Sequence, residues 1–379
     1  MAKLPVKVYS STDAGAPAWN DAPGSVLAIL ESCLVTGFNL RPCRAVSWAN
    51  GVATISLDQG HGYKWPDVVE LRDAVPSDAN GEYRVNEAGA DFIKVDCPVT
   101  ITTVSAASLR RAPLGFSKPF AAGNVGVFQS QMVGGSGACL RVDDSNTQSD
   151  YRTLFTLIKA YEKMTSIDEG SGKFVDGGLT KICRDEGTPT LPWILIGDAG
   201  AFYLFCDYRG ANNTIKSRSC FFFGDPVYAT PPLIPAAICV SRTDLARNAS
   251  AWHLTTHCRY FNGGFYGTKM SRSIDDVSVN GSPIVLSRLI NTLNIKILCG
   301  NSSQNAAVLI PDPIAANGFY IGTSPGARLS TYKFQDLSYL ENRYLAVQCI
   351  CDNDQADSLG NADASVVSSV MMDVLGPWR

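Results

Sequence analysis

VSWANGVATISLDQGHGYKWPDVVELRDAVPSDANGEYRVNEAGADFIKVDCPVTITTV, running from Val46 to Val104, is the stretch whose reading decides the fold. Val52, Thr54 and Ser56 fall on one side of an extended chain and Ala53, Ile55 and Leu57 on the other, the period of two of a half-buried strand. Gly60-His61-Gly62 breaks that run, and Pro66-Asp67 opens the next strand, Val68 to Leu71. Asn80-Gly81 supplies the positive-φ positions of a tight turn before Glu82 to Val85, and Phe92 to Val95 follows. Each run is too short for a helix. The expectation is a compact antiparallel barrel or sandwich of about five strands.

Working outward, the chain is 379 residues long, more than one ordinary core holds. Charged residues make up 18%, against a usual ~25%. A chain with so few charges is expected to bury part of its surface against other subunits. The net charge of −3 offers no broad positive field, so bulk nucleic-acid binding is not expected. No apolar window of ~18 residues occurs, so no membrane span is expected. Met1 to Tyr9 lacks the apolar core of a signal peptide, which points to synthesis and retention in a cytoplasm.

Upstream, Gly15 to Pro23 reads as an extended lead-in. From Ser25 the positions Val26, Ile29, Leu30, Cys33 and Leu34 recur at helical spacing, with Gly37 placed to end a short amphipathic helix. This helix is expected to pack as a strut on its own β-domain, with docking to a neighbouring subunit as the alternative. Downstream, Ser105 to Pro119 reads as a linker in which Arg110 and Arg111 are solvated. Strands are expected near Val125, over Ala138 to Val142, and over Tyr151 to Met164, where helical spacing competes with threonine content. Trp193 to Gly197 and Ala201 to Asp207 flank Asp198-Ala199-Gly200 as a hairpin, and Cys220 to Phe223 ends at a turn. Beyond Thr243, Phe261 to Gly267 reads as a loop with aromatic anchors. Ile284 to Ile290 and Ile295 to Leu298 are short apolar runs, and Arg343 to Cys351 and Val366 to Leu375 close the chain as strands before Trp378.

The reading is therefore mainly β and multi-domain, short-stranded antiparallel barrels or sandwiches with one short N-terminal helix. Its parts are an arm and helix (1–45), a small β-module (46–104), a central β-domain (116–241) and a C-terminal β-rich region (242–379).

Several runs resemble a family of structural proteins associated with bacteriophage and prophage tails. They are Gly51-Val-Ala-Thr54, Gly60-His-Gly62, Val68 to Leu71, Asn80 to Val85 and Asp91 to Val95 in the module. Leu140 to Asp144, Thr165 to Phe174, Pro192 to Ala199 and the closing Asp373 to Arg379 extend the likeness. An Ig-like or SH3-like adhesive domain is the alternative reading of the module. The resemblance implies a virion protein, assembled in the host cytoplasm, whose partners are copies of itself and other virion proteins. A head decoration or head-to-tail connector, or a receptor-binding protein contacting the host through Phe261 to Tyr266, are the alternatives.

No stretch carries a catalytic signature, and no catalytic, cofactor-binding or metal-binding residue is assigned. His253, His257 and Cys258 have helical metal-ligand spacing but lack the glutamate of a metalloprotease, and read as ordinary polar positions. His61 between two glycines reads as a hydrogen-bonded turn residue. Asp143-Asp144 and Asp275-Asp276 are adjacent pairs whose side chains diverge on a strand, and both read as turn chemistry. Asp168 and Glu169 lack the alternating oxygens of a calcium loop. The 12 cysteines make the chain cysteine-rich, but no Cys-x-x-Cys occurs. They are expected to be buried reduced thiols, with oxidation after release from the cell as the sharper alternative.

Overall fold

In the computed structural model the described residues are 5–145, 153–183, 190–209, 215–225 and 236–240, with short segments at 259–261, 264–266, 268–270, 297–298, 307–308, 318–320, 337–340, 342–351 and 366–377. In chain order the strands are β1 (Lys7–Ser10), β2 (Phe38–Pro42), β3 (Ala45–Ala49), β4 (Val52–Ser56), β5 (Val68–Arg72), β6 (Gly81–Ala88), β7 (Phe92–Asp96), β8 (Ser108–Arg111), β9 (Phe116–Ala122), β10 (Val125–Ser130), β11 (Cys139–Asp143), β12 (Thr153–Met164), β13 (Gly170–Cys183), β14 (Trp193–Gly197), β15 (Ala201–Arg209), β16 (Ile215–Gly224) and β17 (Ala236–Val240). The helix α1 spans Ser25–Glu31 and continues as a wider π turn over Ser32–Thr36. The fold is mainly β, with antiparallel sheets and, among the described residues, this one short α-helix.

Alternation builds the first unit. In β4 Ala53 and Ile55 are buried, in β7 Ile93 and Val95, and in β8 Leu109, while their neighbours face outward. The order is β2-β8-β5-β6-β7-β4-β3. Its two end strands are consecutive in sequence, separated only by Cys43 and Arg44. The Cys43 N–H donates to Ala107 O and the Arg44 N–H to Ser56 O, each at 2.9 Å, so one bent segment joins both ends of the sheet and closes a barrel. Ile55, Val69, Leu71, Val85, Ile93, Val95 and Leu109 fill it.

This module is larger than 46–104. β2 and β8 belong to it, so the expected limits are corrected to about Phe38 and Arg111. The left-handed Asn39 (φ 56) and Pro42 interrupt alternation in β2, and the arginines of β8 resemble linker charges. The expected tight turn at Asn80-Gly81 is also corrected. Asn80 is extended (φ −73, ψ 139) and closes a 3-10 turn over Ser77–Ala79. The two-residue hairpin turn is Asn50-Gly51, with φ of 53° and 80° between paired Ala49 and Val52.

The second unit has two sheets. A five-stranded meander has the order β13-β12-β11-β10-β9, and a six-stranded sheet runs β1-β14-β15-β16-β17 and then Thr268–Met270. Of the stretch expected as a strand from Tyr151 to Met164, the described part, Thr153–Met164, forms β12, and the Asp198 to Gly200 turn joins β14 to β15. All five residues of β14 are buried.

The arm and helix are not an appendage. β1 pairs antiparallel with β14, from Lys7 opposite Gly197 to Ser10 opposite Ile194, and Trp19 bridges Leu191. Val26, Ile29, Leu30, Cys33 and Leu34 share one core with Phe128, Leu140 and Ile158 of the meander and with Leu195, Phe202 and Phe221 of the other sheet. Each of the aliphatic side chains contributes roughly 1.5–3 kcal/mol of transfer free energy there. The helix expected to brace the barrel thus lies in the core of the second unit, and the barrel is inserted in the chain between that helix and β9. The expected arm domain 1–45 accordingly divides between the two units.

In the C-terminal region, Tyr344–Cys351 pairs with Val366–Asp373, flanked by Tyr339–Leu340 and Gly318–Tyr320. Arg259–Phe261 pairs with Gly264–Tyr266, so the expected aromatic loop includes a short hairpin. Ile284 to Ile290 and Trp378 lie outside the described residues.

Candidate functional site: a sealed ion cluster between the two units

β8 directs Leu109 and Arg111 to the same side, so Arg111 continues the barrel core toward β1. Its side chain is 2% exposed. The guanidinium lies over the rings of Tyr9 and Phe38, 5.5 and 5.7 Å from their centroids. Nη2 donates to Val8 O and pairs with Asp13 Oδ2 at 3.2 Å. Nη1 meets Asp67 Oδ2 as an ion pair rather than an aligned hydrogen bond, and Nε is without an acceptor. Asp13 is positioned by its own turn, accepting from the Ser10 N–H at 2.8 Å, and it also pairs with Lys64 Nζ at 3.0 Å. Asp67 accepts from the Lys64 N–H at 2.9 Å.

Two carboxylates and one guanidinium therefore share a nearly dry site, with Lys64 at its outer edge. Burial is the main influence on Asp67, only partly offset by Arg111, and its carboxyl is pushed up to about 6. Burial pulls Arg111 down, yet Asp67 and Asp13 outweigh it and hold the guanidinium above its ordinary value. Burial likewise raises the Tyr9 phenol and the Cys33 thiol well above their usual ranges.

The contacts around this cluster reach three parts of the chain. Lys7 of β1 pairs with Glu82 of β6 at 2.6 Å and donates to Pro113 O. Arg84 donates to Pro66 O at 2.9 Å, to Val6 O at 3.0 Å and to Leu375 O at 3.4 Å. Trp65 meets Tyr339 edge to face at 4.8 Å. Barrel, second unit and C-terminal residues are fixed against one another here. A sealed group of this kind orients elements; it offers no open cleft to a substrate.

A second buried node sits at α1. Gly24, with φ 85, provides no side-chain cap. Asp144, at the end of β11, takes that role from a distance: Oδ2 accepts from the Val26 N–H at 2.9 Å and, more weakly, the Leu27 N–H at 3.4 Å. Oδ1 accepts from Thr156 Oγ1 at 2.7 Å and from Lys181 Nζ at 2.8 Å. Burial lowers the Lys181 ammonium, and Asp144 opposes the shift.

The sequence-predicted positions fall elsewhere. His61 is 2% exposed, and its Nδ1 accepts from the Tyr63 N–H at 3.0 Å, so Nε2 carries the proton toward Gly89 O at 3.1 Å. It is a satisfied turn residue stacked on Tyr63. Asp143 accepts from the Ser145 N–H, the turn chemistry expected of it, whereas Asp144 is fully buried, which corrects the turn reading for that residue alone. Arg110 pairs with Glu70 at 2.6 Å and Arg111 is sealed, which corrects the solvated-linker reading. Asp168 pairs with Arg141 in the turn between β12 and β13. His253, His257, Cys258 and Asp275-Asp276 lie outside the described residues.

Among the described residues no group of three or more His, Cys, Asp or Glu side chains is placed to hold a metal, and no helix is long and apolar enough to cross a membrane. Cys33, Cys43, Cys97 and Cys139 are buried free thiols, and Cys206 is buried. Sequence reasoning missed Asp13, Asp67, Arg111 and Lys181. The only local signal was charge at inward strand positions, Arg111 two residues after Leu109.

Fold and site together define a class: a closed β-barrel inserted into a two-sheet unit around a buried helix and locked by internal ion pairs. No family model matches the chain, and neither curated proteins nor solved structures yielded a match.

Proposed function

We propose that the protein is a structural component of a bacteriophage virion, tail-associated, that assembles into a symmetric oligomer and acts through its interfaces without converting a substrate. The observation that carries this reading is the sealed Arg111 cluster. Charge that the fold buries ties the barrel to β1 and to Leu375, an arrangement that orients elements and does not expose a reactive group. Large apolar side chains stand on the surface, Leu40 at 64% and Val133 at 90% exposure. The low charge content supports assembly through interfaces. Assembly would take place in the host cytoplasm, with copies of the chain and other virion proteins as partners.

Antibody labelling or imaging of intact particles tests it directly, and the same images distinguish a tail position from a head decoration or a connector. Mass photometry at micromolar concentration should show a ring or a trimer. A solitary monomer that is absent from particles would overturn the proposal. A host-contact reading draws on the hairpin that sets Tyr260 across from Phe265. Loss of adsorption with intact particles in a Phe265→Ala/Tyr266→Ala variant would favour it.

A further inference from the structure

We propose that Asn50 is a site of spontaneous modification, its side-chain amide being lost to water through a succinimide formed with the backbone of Gly51. Asn50 and Gly51 are the whole turn between β3 and β4. Ala49 pairs with Val52, so the amide N–H groups of Asn50 and Gly51 lie beyond the ladder. The Asn50 side chain is exposed and makes no hydrogen bond within the described residues. A Cβ built on Gly51 would meet nothing within 4 Å, so the turn is open on the side of that residue's Cα. The Gly51 carbonyl is held by the Cys97 N–H at 2.8 Å, which restrains the far side of that residue and leaves its nitrogen free.

The chemistry balances without any added reagent but water. The Gly51 nitrogen attacks Asn50 Cγ, the new N–Cγ bond forms as Cγ–Nδ2 breaks, and ammonia leaves with the proton from the Gly51 nitrogen. Water then opens the ring at either carbonyl, giving aspartate or isoaspartate.

The same dipeptide recurs in the barrel as an internal control. Asn80 also precedes a glycine, but its Oδ1 accepts from the Ala74 N–H at 2.8 Å and its Nδ2 donates to Ser77 O at 2.9 Å and to Ala74 O at 3.4 Å. Those bonds must break before Cγ can be approached. Asn262, Asn280 and Asn317, each followed by glycine, lie outside the described residues.

The isoaspartyl product has consequences for the fold. It lengthens the backbone by one methylene inside a two-residue turn, so the register between Ala49 and Val52 cannot be kept. β3 is continuous with the segment that closes the barrel, and closure weakens with it.

The experiment incubates the folded full-length protein in heavy-oxygen water at mildly alkaline pH and maps label and isoaspartate by peptide mass spectrometry. Product at position 50 should form on the order of tenfold to a hundredfold faster than at position 80, the factor set by the hydrogen bonds holding Asn80. In denaturant the two positions should react at similar rates. Asn50→Gln should abolish the fast reaction and leave position 80 unchanged. Equal or slower reaction at 50 in the folded protein would overturn the proposal, as would a contrast that persists in denaturant.

Discussion

Arg111 shows how a single charge is made tolerable inside a fold. Taking a guanidinium and two carboxylates out of water is expensive, and their attraction offsets that only while all three are present. Arg111→Met should therefore destabilise the protein by about 3–5 kcal/mol in urea unfolding, because Asp13 and Asp67 are left buried together without their cation. Asp67 also sets a pH dependence. Its folded value of about 6 lies above the unfolded 3.8, so the native state binds more protons between those values. The contribution of this group is fully present below the unfolded value and is lost as pH rises through about 6. A difference of that size between the folded and unfolded carboxyl corresponds to on the order of 3 kcal/mol. Asp67→Asn should remove most of that pH slope, as read from urea midpoints measured on either side of the transition. A slope unchanged by the substitution would contradict the assignment.

At the level of elements, α1 depends on a residue far away in sequence. Asp144→Ala removes the carboxylate from the helix N-terminus and from the buried Lys181 ammonium, and a loss of about 3–5 kcal/mol is expected. The double variant Asp144→Ala/Lys181→Met should recover part of that loss, and a double-mutant cycle measures the coupling. Leu30→Ala, at the centre of the shared core, should cost about 2–5 kcal/mol by thermal or urea unfolding. These dependencies explain what was legible. The spacing of Val26, Ile29, Leu30 and Leu34 announces an amphipathic helix, and the alternation in β4 and β7 announces strands, because both are local consequences of backbone geometry. What covers the helix is set by how the meander and the sheet begun by β1 and β14 meet around it, which no local pattern encodes. Asp144 likewise looks like one half of a turn until its helix is folded against it. The turn lay at Asn50-Gly51, between Ala45–Ala49 and Val52–Ser56, and not at Asn80-Gly81, the same dipeptide in a different backbone.

On the scale of the whole molecule, the barrel and the two-sheet unit should unfold together, since the Arg111 cluster, Lys7 with Glu82 and the Arg84 carbonyl contacts all cross between them. Hydrogen exchange in Arg111→Met should rise in β1 and in β8 alike, and protection lost in only one of them would indicate that the junction is not coupling the two. The exposed Leu40 and Val133 are the positions where an added charge should hinder self-association without unfolding the chain. Sedimentation of Val133→Asp beside the parent protein tests this, and unchanged association would remove Val133 from the interface.

The placement of the barrel within the chain also dictates an order of birth. The strand holding Tyr9 leaves the ribosome early, but the strand it must join, at Leu195, arrives only after the barrel has been synthesised. At cellular elongation rates that interval is on the order of ten seconds or more, ample for small domains to fold. The nascent helix and its apolar stripe wait uncovered at least until Phe128 and Leu140 of the meander emerge, so a trigger-type chaperone acting on the segment from β1 to the end of that helix should raise the yield of native protein more than one acting later.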